Sequence, residues 1–260
     1  MTDSFDARRN RLLAAFTEDE WARCQPQMAL IELRAGQVLS RAGLPSAHLY
    51  FPTSAIVSLL YVTCDGAPLE VAQVGGEGIV GVSAFLGGSS TTSSAEVRSA
   101  GRAWRIRAAD LQQEFDRAGS AMHLLLRYTQ ALITQMAQIA VCARHHSIEQ
   151  QLTRWMLLTL DRWPGEELRM TQELMAGRLG VRRESVTEAA RHLQAAGLIT
   201  YSRGHMHVLD RPGLERRSCE CYRVIRGDYD RLLPRLPVPP PVAAGRQPEV
   251  RERSLLLQAR

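Results

Sequence analysis

The run Arg182-Arg183-Glu184-Ser185-Val186-Thr187-Glu188 holds the side chains best suited to chemistry on a polyanion. A guanidinium presents a fork of donors that matches guanine O6 and N7, or two phosphate oxygens. Arg183 can therefore read a base, Glu184 can accept from cytosine N4, and the Thr187 methyl can meet a thymine methyl. On a helix, positions 183, 184, 187 and 188 share one side, which makes Arg183, Glu184, Thr187 and Glu188 the groove-facing candidates. Thr171 and Arg182, each expected at the start of a helix, and Arg203 in a turn downstream, suit phosphate oxygens, with Ser185 and Arg191 as weaker candidates. A solvated helix face would carry arginines too, so this reading depends on the elements that position them.

Those elements are legible. Thr171 precedes a helical run from Glu173 to Leu179, Gly180 breaks it, and a second run extends from Arg182 to Ala196 before Gly197. Two short helices separated by a glycine turn make a helix-turn-helix, with Val186, Ala189, Ala190 and Leu193 as the inward face of the second. Leu198 to Tyr201, the turn Ser202-Arg203-Gly204, and Met206 to Leu209 then read as a hairpin, the wing of a winged helix. A terminal helix is expected from Pro212 to Leu233.

Upstream, Ala29 to Ile106 breaks into short β-rich segments punctuated by glycine, the spacing of an antiparallel sandwich or roll, behind short helices within Arg8 to Cys24. From Met122 the positions Met122, Leu125, Thr129, Leu132, Met136, Ile139 and Ala143 advance by steps of three and four. That seam predicts a long helix whose Leu125, Thr129, Leu132, Met136 and Ile139 face a second copy, while Leu124, Tyr128 and Ala131 face its own sheet. Burial of the whole helix within one chain is the competing reading. Ile148 to Trp163 is a further helix, ended by Pro164 and Gly165.

Length and charge agree with two modules. The chain has 260 residues, 45% hydrophobic and 23% charged, which excludes collagen-like, purely coiled-coil and wholly disordered classes. All 32 basic residues are arginine. Through Trp163, 15 of them face 15 acidic residues, so the net charge of +5 lies wholly in the C-terminal part. No apolar run approaches the roughly 20 residues of a membrane span, and Met1 to Arg11 is polar, so a cytoplasmic protein without membrane contact is expected. The expected organisation is 1–119 for the N-terminal helices and β-roll sensor, 120–163 for dimerisation and connector helices, 164–233 for the winged helix, and a Pro- and Arg-rich tail, 234–260, expected to be disordered apart from an amphipathic end at Leu255 to Leu257.

In this order the segments resemble the Crp/Fnr family of bacterial transcription regulators. MTQELMAGRLGVRRESVTEAARHLQAAGLITYSRGHMHVLDRPGLE is similar to that family's winged helix-turn-helix, and GQVLSRAG, LYFPTSAIVSLL and VGGEGIVGVSAFLG are similar to its cyclic-nucleotide-binding-type β-roll. The resemblance implies an α+β fold: an antiparallel β-roll, a long dimerisation helix and a C-terminal winged helix-turn-helix. It implies a homodimeric DNA-binding transcription regulator, not an enzyme, bound to a palindromic operator in double-stranded DNA, with RNA polymerase and a small-molecule effector as further candidate partners. The family places base contacts at the positions of Arg183, Glu184 and Glu188, the last commonly an arginine there, so the half-site read by other members does not transfer.

The sensor departs from the pattern as well. In cyclic-nucleotide-binding members a glutamate after the glycine loop takes the ribose hydroxyl and an Arg-Ser pair takes the cyclic phosphate. Glu77 matches the first, with Gly78 beside it, and a loop-capping carboxylate is the alternative for Glu77. At the second place stand Ser93 and Ser94, which cannot neutralise a phosphate as a guanidinium does. Cyclic AMP in the usual mode is therefore not expected; a constitutive DNA-binding protein with a vestigial β-roll, or a metal- or thiol-responsive regulator, are the rival readings. Five scattered cysteines in a reducing compartment suggest no disulfide framework. The N-terminal cysteine cluster of iron-sulfur members is missing. His205 and His207 share a strand face, whereas Cys219 and Cys221 on one helix would diverge by about 200°. Ordinary packing is expected there, Arg144, His145 and His146 are expected to cap a helix dipole, and neither metal nor cofactor is expected.

Overall fold

The computed structural model describes residues 7–234 except 65, 89, 164 and 166, so the tail predicted from 235 onward and half of the Pro164-Gly165 boundary lie outside it. Two short helices open the chain, α1 (Arg11–Ala14) and α2 (Glu18–Cys24). Asn10 caps the first, its Oδ1 accepting from Leu12 N, while its Nδ2 donates to Pro52 O and Gly78 O, so this buried side chain anchors the N-terminus to the roll. Thr17 and Glu20 form the expected capping box of the second.

The roll consists of β1 (Ala29–Leu33), β2 (Val38–Ser40), β3 (His48–Pro52), β4 (Ile56–Val62), β5 (Pro68–Val74), β6 (Ser94–Ser99) and β7 (Gly101–Arg107). They pair antiparallel in two sheets of order β1-β7-β3 and β2-β6-β4-β5. The inward sides carry Leu49, Phe51, Val57, Leu59, Ala72, Val74, Val97 and Ile106, all buried in one apolar core. After α3 (Ala108–Asp116) comes the long helix α4 (Ser120–His145), then α5 (Ile148–Leu160), started by a Ser147–Gln150 capping box.

The C-terminal part comprises β8 (Glu167–Arg169), α6 (Gln172–Leu179), α7 (Arg183–Ala195), β9 (Ile199–Ser202), β10 (His205–Val208), α8 (Arg211–Arg217) and α9 (Glu220–Leu232). The helix-turn-helix and hairpin stand where expected, with two differences. β8, too short and polar to show a period of two, adds to the hairpin to give a sheet of order β8-β10-β9. The single terminal helix predicted from Pro212 is two helices, because Ser218 and Cys219 are extended and Cys219 becomes the N-cap of α9.

The largest correction concerns α4. Part of its predicted partner-facing seam faces its own chain: Leu125, Thr129 and Leu132 are buried, whereas Met136 and Ile139 are half-buried and, with the exposed Ala143, line a cavity of about 90 Å³ bounded by β5, α5 and α6. The flank Leu124, Tyr128 and Ala131 is buried too, so the inward stripe spans both rows. Apolar residues left outside include Leu126, 40% exposed, Ile133, 55%, and Val141, 44%. The inward face is wide because α9 packs on α4 as well, with the Thr134 hydroxyl donating to Asp228 Oδ2 and Tyr128 stacked edge-on against Tyr229.

Candidate nucleic-acid interface

Local chemistry explains the helix-turn-helix. The Thr171 Oγ1 caps α6 by accepting from Leu174 N at 3.2 Å, and Gly180 ends it at φ +66°, a conformation that favours glycine. Arg182 is the N-cap of α7 rather than its first turn, so the recognition helix begins at Arg183. Val186, Ala189, Ala190 and Leu193 are buried against the rest of the domain. On the other side Arg182, Arg183, Glu184, Glu188 and Arg191 are exposed, and Ser185 is half-buried.

Thr187 is less free than its neighbours, since its hydroxyl lies 2.7 Å from Gln172 Oε1 and 3.0 Å from Arg183 O. That contact ties α7 to α6. Arg183 Nε stands 4.0 Å from Glu173 Oε2, a loose ion pair between two exposed side chains that contributes little and exchanges easily for a polyanion. At the wing tip Arg203 and Gly204 both have positive φ, +50° and +83°, as a two-residue hairpin turn with the strand twist requires. Arg203 is therefore held at an exposed corner. His205 and His207 do share a strand face, and both approach Glu167, at 2.6 and 3.9 Å. The His205 contact holds the Glu167 carboxyl below its ordinary range.

The predicted effector residues are engaged elsewhere. Glu77 Oε1 accepts from Arg162 Nε at 2.7 Å and from Gly75 N at 3.2 Å, so the carboxylate belongs to a buried ion pair with Arg162, two positions past the end of α5. A Cβ on Gly78 would lie 2.4 Å from the Tyr128 ring, whose hydroxyl donates to Ile79 O; glycine is needed there for the close approach of α4. Ser94 Oγ accepts from Ala42 N, and Ser93 Oγ contacts Thr91 Oγ1. Nor does Arg98 replace the missing guanidinium: it stacks on Trp155 at 4.1 Å and donates to Thr159 Oγ1 at 2.8 Å. Burial pushes Arg98 down to about 10, with Glu70 opposing.

These contacts form a polar layer that sequence reasoning missed. Glu70 accepts from Ser58, from Gln73 Nε2 and from Trp155 Nε1, and Gln135 Nε2 donates to Gln73 O. Arg162 joins Glu77, Gln135 Oε1 and Leu158 O. It links β5 and the glycine loop of the roll to α4 and α5. Arg178 of α6 adds a bond to Glu96 of β6 at 2.6 Å.

A second cluster overturns the expected divergence of Cys219 and Cys221. The ligand atoms of Cys142, His146, Cys219 and Cys221 all lie within 4.8 Å of one another. The 200° separation presumed that both cysteines sat inside one helix, whereas Cys219 precedes it. His146 likewise leaves the end of α4 with extended backbone, which turns its ring toward the thiols.

The chain matches two family models in tandem: a cyclic nucleotide-binding domain over residues 30–118 and a Crp-like helix-turn-helix domain over residues 150–217. It belongs to the Crp/Fnr family of transcription regulators. Solved structures share this fold. A Eubacterium rectale protein placed in the Crp/Fnr family superposes with a TM-score of 0.62 at 18% identity, covering 83% of this chain and 99% of that one. FixK2 from Bradyrhizobium japonicum gives 0.62 at 15% identity over 74% and 98%. The c-di-GMP responsive global regulator CLP from Xanthomonas campestris gives 0.56 at 19% identity over 75% and 100%. No curated protein matches the chain by sequence. As a Crp/Fnr-type regulator the protein is a DNA-binding transcription regulator whose helix-turn-helix domain lies within residues 150–217. Among the described residues no helix is long and apolar enough to cross a membrane.

Proposed function

We propose that the protein acts as a homodimer on a palindromic operator, with Arg183, Glu184 and Glu188 reading base edges and with Arg182, Thr171 and Arg203 on phosphates. Ser185 and Arg191 supplement the phosphate contacts, and Thr187 positions α7 through Gln172. Residues 1–119 are the sensor, 120–163 carry dimerisation and connection, and 164–233 bind DNA. The observation that carries this reading is the division of α7 into a buried apolar row and an exposed row of arginine and glutamate. A helix with its inner side committed to its own domain presents that outer row to a major groove.

Arg183 and Arg182 then have different tasks, since they lie about 100° apart around the axis. Arg183→Ala is expected to weaken operator binding by about 1–3 kcal/mol and to relax preference at one base pair of each half-site. Arg182→Ala is expected to weaken all sequences alike and to lower the salt slope by about one per subunit. Binding to operator variants across a salt series separates the two. Equal loss on specific and nonspecific DNA with Arg183→Ala would refute the assigned reading face.

The effector is not cyclic AMP in the family's usual mode. Glu77 is held by Arg162, and the phosphate position has serines where a guanidinium is needed. A ligand at 100 times its dissociation constant adds about 2.7 kcal/mol of stability. Millimolar cyclic AMP is expected to leave the melting temperature unchanged. The same titration carries c-di-GMP, because the like-folded CLP responds to it. A clear shift with cyclic AMP that disappears in Ser94→Ala would overturn this reading of the roll. Titrating effectors into operator binding also tests the rival in which the roll is only a scaffold.

A further inference from the structure

We propose that Cys142, His146, Cys219 and Cys221 bind one divalent ion of the zinc class, in a tetrahedral site of three thiolates and one imidazole that fastens the start of α9 to the end of α4. The four donors come from two distant stretches of the sequence and meet at one point. Cys142 Sγ and Cys219 Sγ are 3.5 Å apart, and Cys221 Sγ is 3.6 Å from His146 Nδ1. Zinc-thiolate bonds of about 2.3 Å at tetrahedral angles place ligand atoms about 3.8 Å apart, so the set needs only small adjustments. A polynuclear iron-sulfur cluster spreads its thiolates over several irons and needs a wider set than this. Three soft sulfurs and an imidazole also exclude calcium and magnesium, which select oxygen.

The surroundings point to a ligand independently. His146 turns Nδ1 toward Cys221, while its Nε2 lies 3.2 Å from Glu220 Oε1. A metal-bound imidazole characteristically donates its second N–H to a carboxylate, which fixes the tautomer. Arg154 is buried, and its Nε and Nη1 have no hydrogen-bond partner among the described residues. It lines the same cavity as Ala143, the neighbour of Cys142 in α4. A zinc ion with three thiolates and a neutral imidazole carries a net charge of about −1, which this guanidinium balances. The three cysteines also pack as a separate buried group outside the main core, so apolar packing alone does not explain their convergence.

The full chain, purified under reducing conditions without added metal, should retain about one zinc per chain. Replacement by cobalt should give the thiolate charge-transfer band and the visible absorption of a tetrahedral site with three sulfur ligands and one nitrogen. Chelation should lower the melting temperature. Cys219→Ser and Cys221→Ser should lose the equivalent. His146→Cys should keep it and shift the cobalt spectrum toward that of all-sulfur ligation. His205→Ala with His207→Ala should leave stoichiometry and spectrum unchanged, which separates this site from the wing histidines. If the cysteine variants fail to fold, the wild-type cobalt spectrum still decides. Protein that takes up neither ion, a six-coordinate cobalt spectrum, or a Cys142–Cys219 disulfide that persists in protein freshly isolated under reducing conditions would overturn the proposal.

Discussion

Replacing Arg162 by alanine should destabilise the protein by about 3–5 kcal/mol, the loss that follows when one member of a buried ion pair is removed. The Arg162 and Glu77 side chains are only 5% and 11% exposed. The guanidinium satisfies three acceptors, Glu77 Oε1, Leu158 O and Gln135 Oε1, at 2.7, 2.7 and 3.0 Å, and lies over the Tyr229 ring. Alanine would leave the Glu77 carboxylate with Gly75 N as its remaining donor and strip two further buried oxygens of a partner. The charge itself is the larger part of the penalty. Arg162→Met combined with Glu77→Gln should therefore recover most of the loss, because a neutral pair leaves no buried ion unpaired. Urea midpoints at constant slope measure the difference. A midpoint for Arg162→Ala close to wild type would mean that Glu77 finds water, and that the pair does not fasten the glycine loop to α5.

This ion pair also shows where sequence reading ends. Glu77 was visible as a carboxylate after a glycine-rich loop, and both a ligand role and a structural one suited it. Its partner is 85 positions away, and no local pattern links the two. The polar layer of Glu70, Gln73, Gln135, Trp155 and Arg162 was invisible for the same reason, since each residue alone looks like an ordinary member of a strand or helix. By contrast the winged helix was legible almost throughout. Its signals are local: the Thr171 cap, the Gly180 break, the 3.6-residue spacing of Val186, Ala189, Ala190 and Leu193, and the Arg203-Gly204 turn. The cysteine site failed on one detail of backbone. A helix drawn from Pro212 to Leu233 sends Cys219 and Cys221 apart, and a break at Ser218 brings them together.

Ile133→Asp should convert the proposed dimer to monomers and reduce operator affinity by about 100- to 10,000-fold, the advantage lost when two half-sites are no longer bound by one linked pair. The spacing of α4 announced a seam, but Leu125, Thr129 and Leu132 of it are buried in their own chain, because two apolar rows run side by side and the period alone does not say which row meets its own sheet. Leu132 is 3% exposed, whereas Ile133 is 55% exposed with Leu126 and Val141 about two turns to either side. These three residues, with the small Ala137 and Ala140 between them, form the stripe that remains for a second copy. In a two-fold pair each residue near the axis meets its own counterpart or that of a neighbouring turn. An aspartate at 133 then places two like charges in an apolar contact, at several kcal/mol per desolvated ion. The monomer should keep its fold, since position 133 touches solvent in the single chain. Leu132→Asp should do the opposite and unfold the chain, because its side chain belongs to the core shared with the roll. Sedimentation at low micromolar concentration, together with circular dichroism, distinguishes these outcomes. A folded Ile133→Asp protein that sediments as an unchanged dimer would move the interface away from this stripe.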